Sequence, residues 1–157
     1  MKNQILKGLT MLLLIAGVAL MVALVSAHAQ SRSVVANIPF EFEVGGTTLK
    51  AGEYSVKAFT ANADALLITS DDSKDRAIRF SNTIEARNVP KQAKLVFHRY
   101  GQRYFLSEVW TQGERTGRQL LKSSAERAIE GQLAAISSKS ELARSSYERV
   151  EIVAMVR

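Results

Sequence analysis

From Val34 onward the apolar residues of this chain recur at every second position, in short runs separated by glycine, asparagine or proline. A period of two places successive side chains on opposite faces of an extended backbone, so the pattern specifies strands with one buried side. In IPFEFEV, Ile38, Phe40, Phe42 and Val44 share one face, and Pro39, Glu41 and Glu43 share the other. Pro39 cannot donate to a ladder, which puts the start of the strand there or the strand itself at an edge. Gly45-Gly46 supplies a tight turn, and Thr47 to Leu49 return from it. In LKAGEYSVKAF, Gly52 takes the left-handed position of a type II turn before a strand from Glu53 to about Thr60. Further strands are expected from Ala65 to Ser70 and from Arg76 to about Ile84, the second with Ile78 and Phe80 facing inward.

Val89-Pro90-Lys91 punctuates the chain before LVFHRYGQRYFLSEVW. Its arms, Ala93 to Tyr100 and Arg103 to Thr111, meet at Gly101-Gln102, where a II′ turn wants a glycine at the first loop position. Seven or so strands at this spacing predict a mainly β fold, a single antiparallel β-sandwich or small barrel of about seven to eight strands. The pattern changes after Gly113. A polar connector ends at Gly117, and Ser123-Ser124-Ala125-Glu126 forms a capping box for a C-terminal helix of about 124–137 packed on the sheet through Ala125, Ala128, Ile129, Leu133 and Ile136. A second short helix from about Glu141 and a closing strand over Val150–Val156 complete one domain spanning 30–157.

The first 29 residues have a different character. Lys2 and Lys7 precede an apolar run from Leu9 to Val25, and Ala27-His28-Ala29 offers the small residues of a signal-peptidase site. Cleavage near Ala29/Gln30 is expected, which makes the protein periplasmic or secreted. A retained leader would instead tether it as a membrane-anchored envelope subunit, since Gly8 to Ala27 is long enough to span a bilayer. Cleavage removes two lysines and no carboxylate, and takes the net charge from +6 to +4. There is no cysteine, so an exported chain must rely on burial and strand pairing, and thiol chemistry and cysteine-ligated zinc are excluded.

The segments IPFEFEVGGTTLKAGEYSV and KLVFHRYGQRYFLSEVWTQGERTGRQL resemble a family of uncharacterised small exported proteins common in soil bacteria of the acidobacterial group. The resemblance implies an envelope location and a β-rich fold; it implies no substrate and no catalytic residues. Lys50 departs from the proline often found before the AGEY turn, and the chain beyond Ser137 is longer than usual.

The hairpin concentrates the residues a site would need: His98, Arg99, Tyr100, Arg103, Tyr104, Glu108 and Trp110. A two-residue loop puts Leu95, Phe97, Arg99, Tyr104, Leu106, Glu108 and Trp110 on one face, and Lys94, Val96, His98, Tyr100, Arg103, Phe105 and Val109 on the other. Exposed together, His98, Tyr100 and Arg103 would hold an anionic or sugar ligand through charge-assisted bonds and stacking. The alternative is that cross-strand aromatic and cation–π pairs only stabilise the hairpin. Glu108 on the apolar face needs an arginine, with Arg99, Arg115 and Arg118 as candidates.

Catalytic signatures are scarce. The mature chain has one histidine, no nucleophile elbow and no glycine-rich phosphate loop, and no metal or cofactor is implied. Glu41 and Glu43, about 6.6–6.8 Å apart on a strand, read as edge charges that block aggregation. These features favour a non-catalytic exported β-domain, with a periplasmic hydrolase using His98 and a carboxylate as the alternative. An anionic envelope polymer or another envelope protein is the expected partner; export argues against nucleic acid.

Overall fold

The computed structural model describes residues 32–60, 62–72, 74–137 and 147–157. The leader and the expected helix from Glu141 lie outside the described residues. Among the described residues ten strands follow one another as β1 (Val34–Ile38), β2 (Phe42–Val44), β3 (Thr47–Leu49), β4 (Gly52–Ala58), β5 (Ala65–Ser70), β6 (Arg76–Glu85), β7 (Ala93–Tyr100), β8 (Arg103–Trp110), β9 (Thr116–Leu120) and β10 (Glu148–Val156), with the helix α1 (Ser124–Ser137) before the last. Their order in the sheet is β3-β2-β8-β7-β10-β1-β4-β5-β6-β9, and β9 also pairs with β8. That last pairing closes β8-β7-β10-β1-β4-β5-β6-β9 into an eight-stranded antiparallel barrel, with β2 and β3 as additions.

Pro39 divides the first expected strand in two. The ladder with β4 ends at Ile38, opposite Gly52, and the chain resumes pairing at Phe42. Gly52 is therefore extended within β4 rather than left-handed, whereas Gly45 and Gly46, at φ 61° and 94°, make the expected two-residue turn. β8 is shared: Phe105 faces Glu43 of β2, and Glu108 to Trp110 face β9. The β2–β3 hairpin thus occupies the wedge between β8 and β6 where β9 stops. Arg79 fastens it, donating to the carbonyls of Leu121 and Lys122 while its side chain lies against Gly45.

β6 has the opposite orientation from the one its alternation suggested. Ala77 and Arg79 lie on the inner face beside their β5 ladder partners Ile68 and Leu66, while Ile78 and Phe80 lie outside at 53% and 66% exposure. The inner face of β6 is fixed by the partners its polar residues find: Arg79 donates to the carbonyls of Leu121 and Lys122, and Ser81 Oγ to that of Ala63. Phe42 packs edge-on against Tyr54 and Phe97, while Phe40 is edge-on to Phe97 and stacked on Tyr104. The rings gather around the β2–β3 hairpin, and the rest of the core is aliphatic, from Val34, Val56, Leu66, Ile68, Leu95 and Val109.

Candidate functional site

The hairpin pairs as expected from Tyr100↔Arg103 to Phe97↔Leu106, with Gly101 at φ 62°. Beyond that point the register slips: Val96 faces Glu108 and Lys94 faces Trp110. Ser107 is the additional residue of a β-bulge, and every side chain after it changes face. Val109 joins Leu95 and Phe97 in the barrel core. Glu108 and Trp110 move to the outer face with Val96, His98, Tyr100 and Phe105, contrary to the unbroken alternation.

This outer face is covered rather than open. Ser123 caps α1, its Oγ accepting from the Glu126 amide at 3.0 Å. The reciprocal half of the capping box does not form, because the Glu126 carboxylate turns to the sheet and lies 2.9 Å from His98 Nδ1. A carboxylate has only lone pairs to offer, so Nδ1 carries the donated proton. The two side chains are 3% and 5% exposed, and Tyr147 stacks on the imidazole at 3.8 Å between centroids. One turn further along α1, Glu130 accepts from the Tyr100 hydroxyl at 2.7 Å and from Lys122. Burial and the acceptor Glu130 push the Tyr100 phenol far above its usual 10.0. Burial acts against the charge on Glu130, but the bonds from Lys122 and Tyr100 prevail and hold its carboxyl below 4.5.

The helix is therefore held as much by acids as by its apolar stripe. Ala125, Ile129 and Leu133 are half-buried, Ala128 is exposed, and Glu126 is buried. Ile136 falls among the side chains that are not described.

A second cluster surrounds Glu108. Arg149, opposite His98 on β10, donates to both carboxylate oxygens at 3.0 and 2.9 Å, and Trp110 Nε1 donates to one of them at 2.7 Å. Glu108 does find an arginine, but none of the three candidates. Arg149 also donates to Glu151, which receives Lys94 at 2.9 Å, and these two cations hold the Glu151 carboxyl below its usual value. The Trp110 ring lies over Gly117, where a Cβ would come within 2.4 Å of it.

The remaining hairpin residues stand apart from both clusters. Arg99 and Tyr104 belong to the opposite face, near its end: Arg99 pairs with Glu148 at 3.1 Å and lies 5.4 Å over the Tyr104 ring, which stacks on Phe40 at 3.9 Å. Arg103 is exposed but pairs with Glu43 at 2.6 Å. Glu43 is thus an ion-pair partner and not a free edge charge; the sheet edge is β3. His98, Tyr100 and Arg103 do not form the exposed cluster that the sequence suggested.

Among the described residues, every buried side-chain polar atom has a hydrogen-bond partner, and no group of three or more histidines and carboxylates is placed to hold a metal ion. Sequence reading missed Lys122, Glu126, Glu130, Tyr147 and Arg149. Of these, Glu126 and Glu130 carried a signal: two acids one turn apart share a helix face, here the face that meets the sheet. Comparison with family models, with curated proteins and with solved structures finds no match.

Proposed function

We propose that the chain is an exported, non-catalytic β-barrel domain that acts by binding or by structural presence in the cell envelope, the location that the acidobacterial resemblance implies. The observation that carries this reading is the mutual satisfaction of the hairpin groups. His98, Tyr100, Glu108 and Trp110 each have a partner within the fold and spend their hydrogen-bonding capacity on fastening α1 and β10 to the barrel. A general base needs access to a substrate proton, and the His98–Glu126 pair lies beneath Tyr147 and the helix. This weighs against the hydrolase alternative. The export half of the proposal rests on the leader, with Lys2 and Lys7 before the apolar run from Leu9 to Val25 and the small residues of Ala27-His28-Ala29. An anionic envelope polymer or a second envelope protein is the partner class that suits a net charge of +4 after cleavage.

N-terminal sequencing of the protein from fractionated host cells tests the export reading. A periplasmic or secreted chain beginning near Gln30 is expected; an intact leader in the cytosolic fraction contradicts it.

A further inference from the structure

The aromatic side chains gather where β2 and β3 join the barrel, and among the described residues no ring lines the cavity at the other end. There the ends of β1, β4, β5, β8 and β9 surround a cavity of about 220 Å³. Val34, Val56, Ala58, Leu66 and Val109 supply its apolar walls. For scale, an apolar cavity of about 150 Å³ accepts benzene. The charged lining is Arg32, Lys57, Glu114 and Arg118. Arg32 is neutralised by Glu114 at 3.1 Å. Arg118 is different: it donates to the Thr83 hydroxyl at 2.7 Å and the Asn62 carbonyl at 2.8 Å, both neutral, and no carboxylate pairs with it among the described residues. The guanidinium is oriented but its charge is uncompensated.

The loop that orients it is itself strained. Ala63, also in the lining, has φ 54°, a conformation that side chains with a Cβ rarely adopt, and its carbonyl accepts from Ser81 Oγ at 3.0 Å. Strain held in place by hydrogen bonds around a concave surface is characteristic of ligand sites.

We infer that this barrel mouth binds a small monoanion with a compact apolar body, of the aryl- or alkyl-carboxylate class, the body against Val56, Leu66 and Val109 and the carboxylate on Arg118. A fixed guanidinium beside apolar walls suits this ligand class, because the planar fork matches a carboxylate and the walls offer the apolar body a surface to bury. This gives the proposed binding role a ligand class, and it does not depend on where the protein resides.

Phenylacetate and its neutral analogue 2-phenylethanol are suitable probes, titrated into isotope-labelled protein and followed by NMR. Saturable shifts at Val34, Leu66 and Val109 are expected with phenylacetate. The alcohol should bind at least about tenfold more weakly, the equivalent of one charge-assisted bond. Arg118→Gln should weaken phenylacetate by a similar factor, and Ala58→Leu should abolish its binding by filling the cavity. Circular dichroism establishes that each variant is folded; if one is not, the acid and alcohol comparison on the unaltered protein still decides. No saturable shift, equal binding of acid and alcohol, or binding that survives Ala58→Leu would overturn the assignment. None of these failures bears on the N-terminal sequence that tests export.

Discussion

Gly117→Ala should destabilise the protein by about 3 kcal/mol, the upper part of the range for overpacking a filled site. The backbone does not require glycine: Gly117 lies within β9 opposite Trp110, and its φ is not positive. On backbone grounds alone the alanine would stabilise by about 0.4–1 kcal/mol through the unfolded chain. The steric term decides the sign. A Cβ would meet three ring atoms of Trp110 at 2.4–2.6 Å, and the ring cannot swing aside without breaking the Nε1 bond to Glu108. Urea denaturation of Gly117→Ala, with Gly117→Ala/Trp110→Leu for comparison, separates the terms. The double variant should lose less from the added methyl than the single one does. A neutral or stabilising Gly117→Ala would mean that the ring does not lie on β9.

Arg149→Ala should cost about 2–3 kcal/mol in the same assay. Removing one member of a buried pair commonly costs about 3–5 kcal/mol, because a charge is left without its partner. Here the guanidinium is 45% exposed, which lowers its share, but the Glu108 side chain is only 10% exposed and would keep a single donor, Trp110. The asymmetry is testable within one series. Adding Glu108→Gln to Arg149→Ala replaces the stranded charge with a neutral amide that still accepts from Trp110, so the double variant should recover at least about 1 kcal/mol. An Arg149→Ala variant as stable as the parent would place this ion pair in water.

The barrel and the hidden hairpin were legible to different degrees, for physical reasons. The hairpin arms, the Gly45-Gly46 and Gly101 turns, the span of α1 and the closing strand followed from local rules that tertiary packing does not override. Three features did not. β9, TGRQL, is too polar to register as a strand, and its role comes from a neighbour: Trp110 needs a residue without a side chain beneath it. The inverted face of β6 arises because alternation distinguishes two faces without saying which is inside, and the carbonyls that receive Arg79 and Ser81 belong to Leu121, Lys122 and Ala63, outside the strand itself. The Ser107 bulge was the most consequential. Core residues Leu106 and Val109 stand three apart, a spacing no regular strand gives, and that one extra residue moved Glu108 and Trp110 away from the barrel interior.

The same bulge governs what the candidate site is. With an unbroken strand, Glu108 would face the aliphatic core, on the opposite side of the sheet from His98. With the bulge, Glu108 shares the outer face with His98, each satisfied by a different element that arrives late in the chain: Glu126 from α1 and Arg149 from β10. Sequence proximity drew attention to the right hairpin, but the partners that define its chemistry lie 28 and 41 residues downstream. The apolar walls and the Arg118 guanidinium of the barrel mouth come from strands far apart in sequence, so no local motif marks them.

A double-mutant cycle on His98→Ala and Glu126→Ala, read by urea denaturation, tests most directly whether the hairpin holds the helix to the barrel. Two buried groups 2.9 Å apart should show a coupling energy of at least about 1 kcal/mol, each single variant costing nearly as much as both together. Strictly additive losses would contradict this and return His98 to the solvent-facing surface of the hairpin.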